Sequence, residues 1–169
     1  PADLRQTLAS GFVQDQFSLG KDLLLTAGTK LEHNDYTGWE VEPSVRLQRD
    51  LAGDQMLWGA VSRAVRTPSR IDRDIREPST GQAILAGGGD FDSETVIAYE
   101  AGYRAHLGRR LIGSLSLFYN DYDDIRSLRP TPVTILPLVF ANDLQGETHG
   151  LELAFNYDLL KWWRLNGGY

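Results

Sequence analysis

The sequence of 169 residues contains no cysteine, one methionine and only three lysines, and it has no long apolar run. The absence of cysteine excludes disulfide frameworks, thiol catalysis and zinc–thiolate sites. The longest apolar run, residues 133–141, is interrupted by Thr134 and Pro137, whereas a transmembrane helix needs about 18 apolar residues or more. A helical membrane protein is therefore not expected. The net charge of −6 argues against a nucleic-acid partner.

Apolar and polar residues alternate along most of the sequence. From Trp39 onwards every second residue, such as Val41 and Val45, is apolar, and the residues between them, such as Glu40 and Arg46, are polar. This period of two indicates a strand with one apolar face. Eight segments follow the pattern, two of them less regularly: residues 7–19, 23–34, 39–50, 55–66, 95–107, 111–123, 151–157 and 163–169. No segment has a convincing helical pattern, so the prediction is an all-β, antiparallel up-and-down meander of about eight long strands.

The connections between these segments alternate in length. Four are tight turns rich in glycine, aspartate and basic residues, at 20–22, 52–54, 108–110 and 158–161. Three are longer, at 33–38, 67–93 and 124–142. Short turns at one end and long loops at the other are typical of outer-membrane β-barrels, whose tilted strands need about 9–11 residues to cross the bilayer. Segments 67–93 and 124–142 are therefore expected to be long extracellular loops.

Large aromatic residues lie near the predicted strand ends. Trp39, Tyr119 and Tyr122 fall at the long-loop end, and Trp162 and Trp163 fall at a short turn. Such a distribution predicts two aromatic girdles at the membrane interfaces. One residue does not fit a regular strand, because Pro43 has no N–H for the ladder, and a bulge or local break is expected there.

Three other architectures are compatible with the same alternation. A soluble β-sandwich binding module would pack the apolar residues against a second sheet; these residues are Val41, Val45, Ile97, Leu115, Leu153 and Leu165. A complete eight-stranded outer-membrane barrel, acting as an anchor or adhesin, would pair its first and last strands. An outer-membrane hydrolase would bring His149 close to Asp121 or Asp123.

Several segments resemble the barrel of TonB-dependent outer-membrane receptors. The most specific is Val61-Ser-Arg-Ala-Val-Arg-Thr-Pro-Ser-Arg70, and the others are residues 11–15, 25–34, 42–47, 93–104, 118–124, 150–153 and 163–169. The resemblance covers nearly the whole chain. It implies a barrel of roughly 22 strands closed by a plug, in the outer membrane of a Gram-negative bacterium. It further implies a receptor that imports a scarce ligand such as a ferric siderophore or cobalamin, with no catalytic activity and no cofactor.

Residues 1–169 contain neither a TonB box nor a plug domain, so the chain is expected to be a barrel segment of a longer receptor. The resemblance implies three kinds of partner. Lipid and lipopolysaccharide of the outer membrane would contact the barrel, a ferric siderophore or similar small ligand would bind it, and the TonB complex would act through the missing plug region.

A set of basic and aromatic residues lies in and beside the expected long loops. Arginine and tyrosine suit anionic, aromatic iron chelates, because guanidinium groups donate charge-assisted hydrogen bonds and tyrosine rings stack. The candidate ligand-binding residues are Arg66, Arg70, Arg73, Arg76, Tyr119, Tyr122, Arg126 and Arg129. The alternative is that these arginines pair with Asp72, Asp74 and Glu77 or bridge lipopolysaccharide.

One acidic cluster follows the three glycines at 87–89. Asp90, Asp92 and Glu94 alternate along the sequence and are weak candidates for binding a hard cation such as calcium. The spacing is not that of a known calcium loop, so a flexible acidic loop leading into a strand is the preferred interpretation.

Overall fold

The computed structural model describes residues 5–78 and 80–169, and long strands account for most of them. In chain order the elements are β1 (Leu8–Ser18), β2 (Leu23–Asn34), β3 (Gly38–Leu51), β4 (Gln55–Arg66), α1 (Arg70–Asp74), β5 (Arg76–Glu77), β6 (Leu85–Ala86), β7 (Glu94–Leu107), β8 (Leu111–Thr131), β9 (Ile135–Leu160) and β10 (Trp163–Gly168). All eight predicted strands are present, and β2 and β4 have the predicted bounds. The all-β prediction is confirmed.

The long strands form one antiparallel meander. Their order across the sheet is β1-β2-β3-β4-β7-β8-β9, with β10 beside the end of β9. In the described residues β1 and β10 do not pair with each other, so the sheet is open and the alternative of a closed eight-stranded barrel is not supported. No helix in the described ranges is long and apolar enough to cross a membrane.

The sheet has one apolar face and one polar face. Val45, Val61 and Tyr99 lie side by side in register and belong to the apolar face, as do Leu47, Gly59 and Ala101 in the next row. Val45 and Leu153 on this face retain 49% and 47% of their surface accessible. The described strands all belong to one sheet, and a second sheet that could cover this face is not found among them. The soluble-sandwich alternative is therefore not supported.

The polar face carries paired charges. Lys30 Nζ lies 2.9 Å from Glu42 Oε1 on the neighbouring strand and 2.9 Å from Glu32 Oε2 on its own strand. The guanidinium of Arg46 stacks over the indole of Trp58, 4.1 Å from the ring centroid. Charges of both signs can therefore lie on this face with partners close by.

The few buried side chains cluster at one end of the sheet, beneath the segment between β4 and β7. Among the described residues the buried apolar side chains are Ala83, Phe91, Ala105, Phe140 and Ala141. All of these except Ala105 lie at the long-loop end of the sheet. The compact packing is therefore found at that end, and the rest of the sheet is a single layer.

The segment 124–142 differs from the expected loop. Strand β8 continues to Thr131 and β9 starts at Ile135, so only residues 132–134 connect them. The extension is irregular, with register shifts after Tyr122, Ile125 and Pro130, and Asp124 and Ile135 have positive φ. These irregularities, together with three prolines, hide the period of two in the sequence.

Pro43 forms no bulge, but the β3–β4 ladder breaks off beside it, so the expected bulge is wrong and the expected local break is found on one side of the strand. Strand β3 passes through Pro43 without a register shift, and Pro43 pairs with Thr29 of β2. The Val41 carbonyl accepts a hydrogen bond from the Arg63 side chain of β4, so the backbone groups of Val41 face β4. Pro43 is two residues further along the strand, so its backbone groups face β4 as well. The β3–β4 ladder starts only at Ser44, so the missing N–H costs no ladder hydrogen bond.

The expectation that the chain has no helix is wrong for five residues. Helix α1 starts after Ser69, whose hydroxyl accepts from the Asp72 N–H while the Asp72 carboxylate accepts from the Ser69 N–H. This capping box stabilises a single helical turn. A helix of this length is too short to produce a recognisable period of 3.6 residues.

Candidate ligand-binding site

The segment 67–93, which we call the long loop, crosses the long-loop end of the sheet. It leaves β4 after Arg66 and re-enters the sheet at Glu94 of β7. Between these points β6 pairs in parallel with β9, with Leu85 opposite Leu138 and Ala86 opposite Val139. The long loop therefore reaches from β4 past β7 and β8 to the far edge of β9.

Asp72 lies at the centre of the contacts made by the long loop. It has no accessible surface, although it is charged. One carboxylate oxygen, Oδ2, accepts from the backbone N–H and the hydroxyl of Ser69, both at 2.8 Å. A buried carboxylate is tolerated only when its oxygens are fully hydrogen-bonded.

Two arginines complete the coordination of this carboxylate. Arg66 Nη1 of β4 donates to Asp72 Oδ2 at 3.2 Å, and Arg126 Nη1 of β8 donates to Asp72 Oδ1 at 3.1 Å. Glu94 of β7 accepts from Arg66 Nε and Nη2 at 2.6 and 2.7 Å, and from the Arg126 backbone N–H at 2.8 Å. We call Arg66, Asp72, Glu94 and Arg126 the acid–arginine cluster. It fastens the long loop to three strands.

The charges of the acid–arginine cluster are mutually stabilised. Burial raises the pKa of Asp72, but the hydrogen bonds from Ser69, Arg126 and Arg66 outweigh burial and bring that pKa to about 2. The hydrogen bonds from Arg66 lower the pKa of Glu94 in spite of its partial burial, and the Arg126 N–H acts in the same direction. Glu94 in turn raises the pKa of Arg66. Arg66, Asp72 and Glu94 are therefore charged at neutral pH.

Three other predicted arginines hold the long loop through contacts of their own. Arg73 Nη1 donates to the Phe91 carbonyl at 2.6 Å and its guanidinium lies over the Tyr36 ring, 5.2 Å from the centroid. Arg76 Nη2 donates to the Gly81 carbonyl at 3.2 Å. Arg70 Nε lies 3.8 Å from Asp74 Oδ2.

Three of the six predicted arginines pair with acids of the long loop, as the alternative interpretation expects. Arg66 and Arg126 pair with Asp72, and Arg70 pairs with Asp74. The sixth predicted arginine, Arg129, pairs with Asp143 across the β8–β9 hairpin, a partner that the sequence did not indicate. Arg66 and Arg126 lie together, whereas Arg129 lies further along the hairpin.

The two predicted tyrosines lie on opposite faces of β8. Tyr119 lies on the apolar face beside Tyr99, with ring centroids 6.1 Å apart. Tyr122 belongs to the polar face, as does Asn120, whose Nδ2 donates to the Tyr122 hydroxyl at 3.5 Å. Because β8 continues to Thr131, neither residue lies at a strand end, and the predicted position of both is wrong.

The three acidic residues considered for a cation do not meet. The Glu94 carboxylate accepts a hydrogen bond from Arg66, and the Asp92 carboxylate accepts one from the Ser93 N–H at 2.8 Å. In residues 5–78 and 80–169 no group of three or more His, Asp or Glu side chains is placed to hold a metal ion. His149 lies opposite Tyr119, and Asp121 lies opposite Glu147. In this part of the chain no hydrogen bond joins His149 to Asp121 or Asp123.

Sequence reasoning missed the central residue of the site. The sequence indicates Asp72 only as a possible partner of nearby arginines. The pattern Ser69-x-x-Asp72 after Pro68 is nevertheless a capping-box signature, and it could have indicated a helical turn that fixes this carboxylate. The contact with Arg126 could not be found in the same way, because it joins residues 54 apart in the sequence.

Aromatic residues mark both ends of the apolar face. Trp39 lies at the long-loop end, 70% exposed, and packs edge-on against His33 with ring centroids 5.0 Å apart. At the opposite end Trp162 and Trp163 stack with centroids 6.2 Å apart. An exposed apolar face bounded by aromatic residues, on long antiparallel strands with a charged opposite face, defines a segment of an outer-membrane β-barrel.

Comparison with known proteins identifies the family. The family model described as "TonB dependent receptor-like, beta-barrel" matches residues 1–169. The chain belongs to this family, which consists of receptors and transporters and is not an enzyme class.

Curated relatives are outer-membrane receptors of Gram-negative bacteria. The iron-regulated outer membrane virulence protein of Vibrio cholerae is 26% identical over 182 residues, covering 98% of this chain and 27% of that protein. The ferric enterobactin receptor of Pseudomonas aeruginosa is 29% identical over 122 residues, covering 66% of this chain and 16% of that protein. The chain thus spans about a quarter of the first of these relatives.

Solved structures share the fold. The siderophore receptor PirA of Pseudomonas aeruginosa superimposes with a TM-score of 0.77 at 20% identity, covering 97% of this chain and 34% of that one. A mutant of the ferric enterobactin receptor PfeA of the same organism, in complex with enterobactin, gives a TM-score of 0.81 at 21% identity, covering 96% and 26%. At this level of identity the likeness shows the barrel fold alone.

Proposed function

We propose that the full-length protein containing this chain imports a ferric siderophore across the outer membrane, with energy from the TonB complex acting through a plug. The observation that carries the proposal is the family match over the whole chain. The relatives named as iron-regulated and as a ferric enterobactin receptor support iron as the cargo. In this proposal the eight long strands are part of a barrel of about 22 strands, and the apolar face contacts outer-membrane lipid.

We further propose that the ligand contacts the long-loop end of the polar face. Arg66 and Arg126 are the principal candidates, because 46% and 48% of their side-chain surfaces are accessible while the acid between them is buried. The other predicted residues on this end, apart from Tyr119, are secondary candidates: Arg70, Arg73, Arg76, Tyr122 and Arg129. Tyr119 is left out because it lies on the apolar face.

The proposal predicts that removing two positive charges weakens binding of an anionic iron chelate. In the purified full-length receptor, the double variant Arg66→Gln/Arg126→Gln is expected to bind ferric enterobactin at least about tenfold more weakly, since a hydrogen bond to a charged group contributes about 1.5–3 kcal/mol. Affinity is measured by quenching of tryptophan fluorescence. Haem and cobalamin are titrated in parallel to identify the class of ligand.

Arg164→Gln provides the matched control. Arg164 pairs with Asp158 at the opposite end of the sheet, with Nε and Oδ1 2.6 Å apart, so its replacement makes the same chemical change away from the site. This variant should bind as the wild type does. If the double variant and the wild type bind ferric enterobactin, haem and cobalamin with equal affinity, the two arginines are not part of the ligand site.

A further inference from the structure

Two guanidinium groups converge on one carboxylate from different strands. Arg66 of β4 and Arg126 of β8, with β7 between those strands, each donate to a different oxygen of Asp72, at 3.2 and 3.1 Å. Asp72 is fully buried, whereas about half of each arginine side chain is accessible. Each arginine side chain therefore keeps an accessible part while its guanidinium group binds an acid of the same chain.

The two arginines do not depend on Asp72 for their positions. Glu94 binds Arg66 through Nε and Nη2, which leaves Nη1 for Asp72. Glu94 Oε1 also accepts the backbone N–H of Arg126, and the Arg126 guanidinium lies over the Phe140 ring, 5.0 Å from its centroid. If Asp72 left, the pair of guanidinium groups would remain in place with two free donors.

Such a pair suits a ligand with two adjacent anionic oxygens. Guanidinium groups bind carboxylates and similar anions with directional, charge-assisted hydrogen bonds, and the two oxygens of Asp72 show where such an anion is held. Carboxylate and catecholate groups of an iron chelate share this arrangement of oxygens.

We propose that Arg66 and Arg126 form a site for a pair of anionic oxygens of the ligand, and that Asp72 occupies this site as an internal competitor until the ligand displaces it. The proposal rests on the proposed function and deepens it. Since a site that is free only part of the time binds in proportion to the free fraction, Asp72 lowers the apparent affinity for an anionic ligand. Displacement of Asp72 also unfastens α1 from β4 and β8.

The remainder of the long loop has its own attachments, so displacement of Asp72 moves α1 without freeing the whole segment. Strand β6 stays paired with β9, and the Leu138 N–H donates to the Ile84 carbonyl at 2.8 Å. The Gly88 N–H, by contrast, donates to the Asp72 backbone carbonyl at 2.9 Å and is expected to lose this partner. Strand β5 stays paired with β6, and the Gly87 N–H donates to the Ile75 carbonyl at 2.7 Å, so the part that responds is residues 67–74.

The test is the affinity of the full-length Asp72→Asn receptor for two probes. Ferric enterobactin is an anionic tris-catecholate and ferrichrome is a neutral ferric hydroxamate. Asp72→Asn is expected to bind ferric enterobactin about tenfold more tightly than the wild type and to leave the affinity for ferrichrome unchanged, because asparagine keeps an acceptor for Ser69 but loses the charge that competes. Asp158→Asn, which removes the acid of the pair at the opposite end, should change neither affinity.

A second measurement uses the wild-type receptor and so does not depend on the folding of a variant. Amide hydrogen exchange of residues 67–74 is expected to rise when ferric enterobactin is added and to stay unchanged with ferrichrome. The same measurement with a ferric citrate complex, which has carboxylates and no catecholate, shows whether the site takes carboxylate oxygens or catecholate oxygens.

The outcomes separate this inference from the proposed function. If the double arginine variant loses binding of ferric enterobactin while Asp72→Asn binds it no more tightly than the wild type, the internal competitor is disproved and the proposed ligand site stands. Greater protection of residues 67–74 on binding also disproves displacement. If neither the double arginine variant nor Asp72→Asn alters any affinity, the ligand site at the two arginines and the internal competitor are both disproved, whereas uptake of a ferric siderophore is tested separately.

Discussion

Replacing Leu117 with arginine is expected to destabilise the full-length receptor in the membrane by about 2–4 kcal/mol, the cost of arginine near the middle of the lipid-facing surface of a barrel. Leu117 lies on the apolar face between Ala101 and Leu151, with 48% of its surface accessible. Unfolding by urea of the receptor in lipid vesicles measures the change. The amount of folded receptor in outer-membrane fractions should fall in parallel.

The neighbouring residue supplies the control. Ser116 precedes Leu117 on β8 but lies on the polar face, beside Gly102 of β7 and Glu152 of β9. Arginine at this position meets an acid rather than lipid, so Ser116→Arg should cost much less than Leu117→Arg. A larger loss for Ser116→Arg than for Leu117→Arg would mean that the two faces of the sheet are assigned the wrong way round.

Replacing Gly88 with alanine is expected to detach the long loop from the β8–β9 hairpin. A Cβ atom at Gly88 would overlap the backbone carbonyl oxygen of Phe140, and a backbone atom within a strand cannot move aside as a flexible side chain can. Overpacking of a close contact costs about 1–3 kcal/mol, so opening of the loop should become about five- to 150-fold more frequent. Cleavage by trypsin after Arg76, within the loop, measures this opening.

Gly89→Ala is the matched control for this prediction. Nothing lies within 4 Å of a Cβ built on Gly89, although it is the next residue in the same loop. Its rate of cleavage by trypsin should equal that of the wild type. Equal rates for Gly88→Ala and Gly89→Ala would show that the long loop is not packed against Phe140 in the full-length receptor.

The regular part of the fold could be predicted from the sequence because period two is a local signal. Strands β2 and β4 have the predicted bounds, and their apolar residues, such as Leu25 and Val61, lie on one face. The continuation of β8 and β9 beyond Tyr122 could not be predicted. There the register shifts and residues of positive φ break the alternation that a regular pair of strands would show.

The candidate site was predicted only in part. The basic character of its surface can be read from Arg66 and Arg126, and both lie at the long-loop end. Their convergence on Asp72 follows from the register of three strands, since Arg66 pairs with Glu94 on β7 and the β7–β8 pairing then brings Arg126 close to Glu94. Such long-range pairing is set by the whole sheet, and no local pattern of residues encodes it.

Uptake of iron by living cells tests the central claim most directly. The full-length receptor is produced in a Gram-negative strain that lacks its own siderophore receptors, and radioactive ferric enterobactin and other ferric siderophores are supplied in turn. We expect uptake of at least one ferric siderophore in cells with a functional TonB complex, and none when TonB is inactivated. If the receptor is folded in the outer membrane and no ferric siderophore is taken up, the proposed function is wrong.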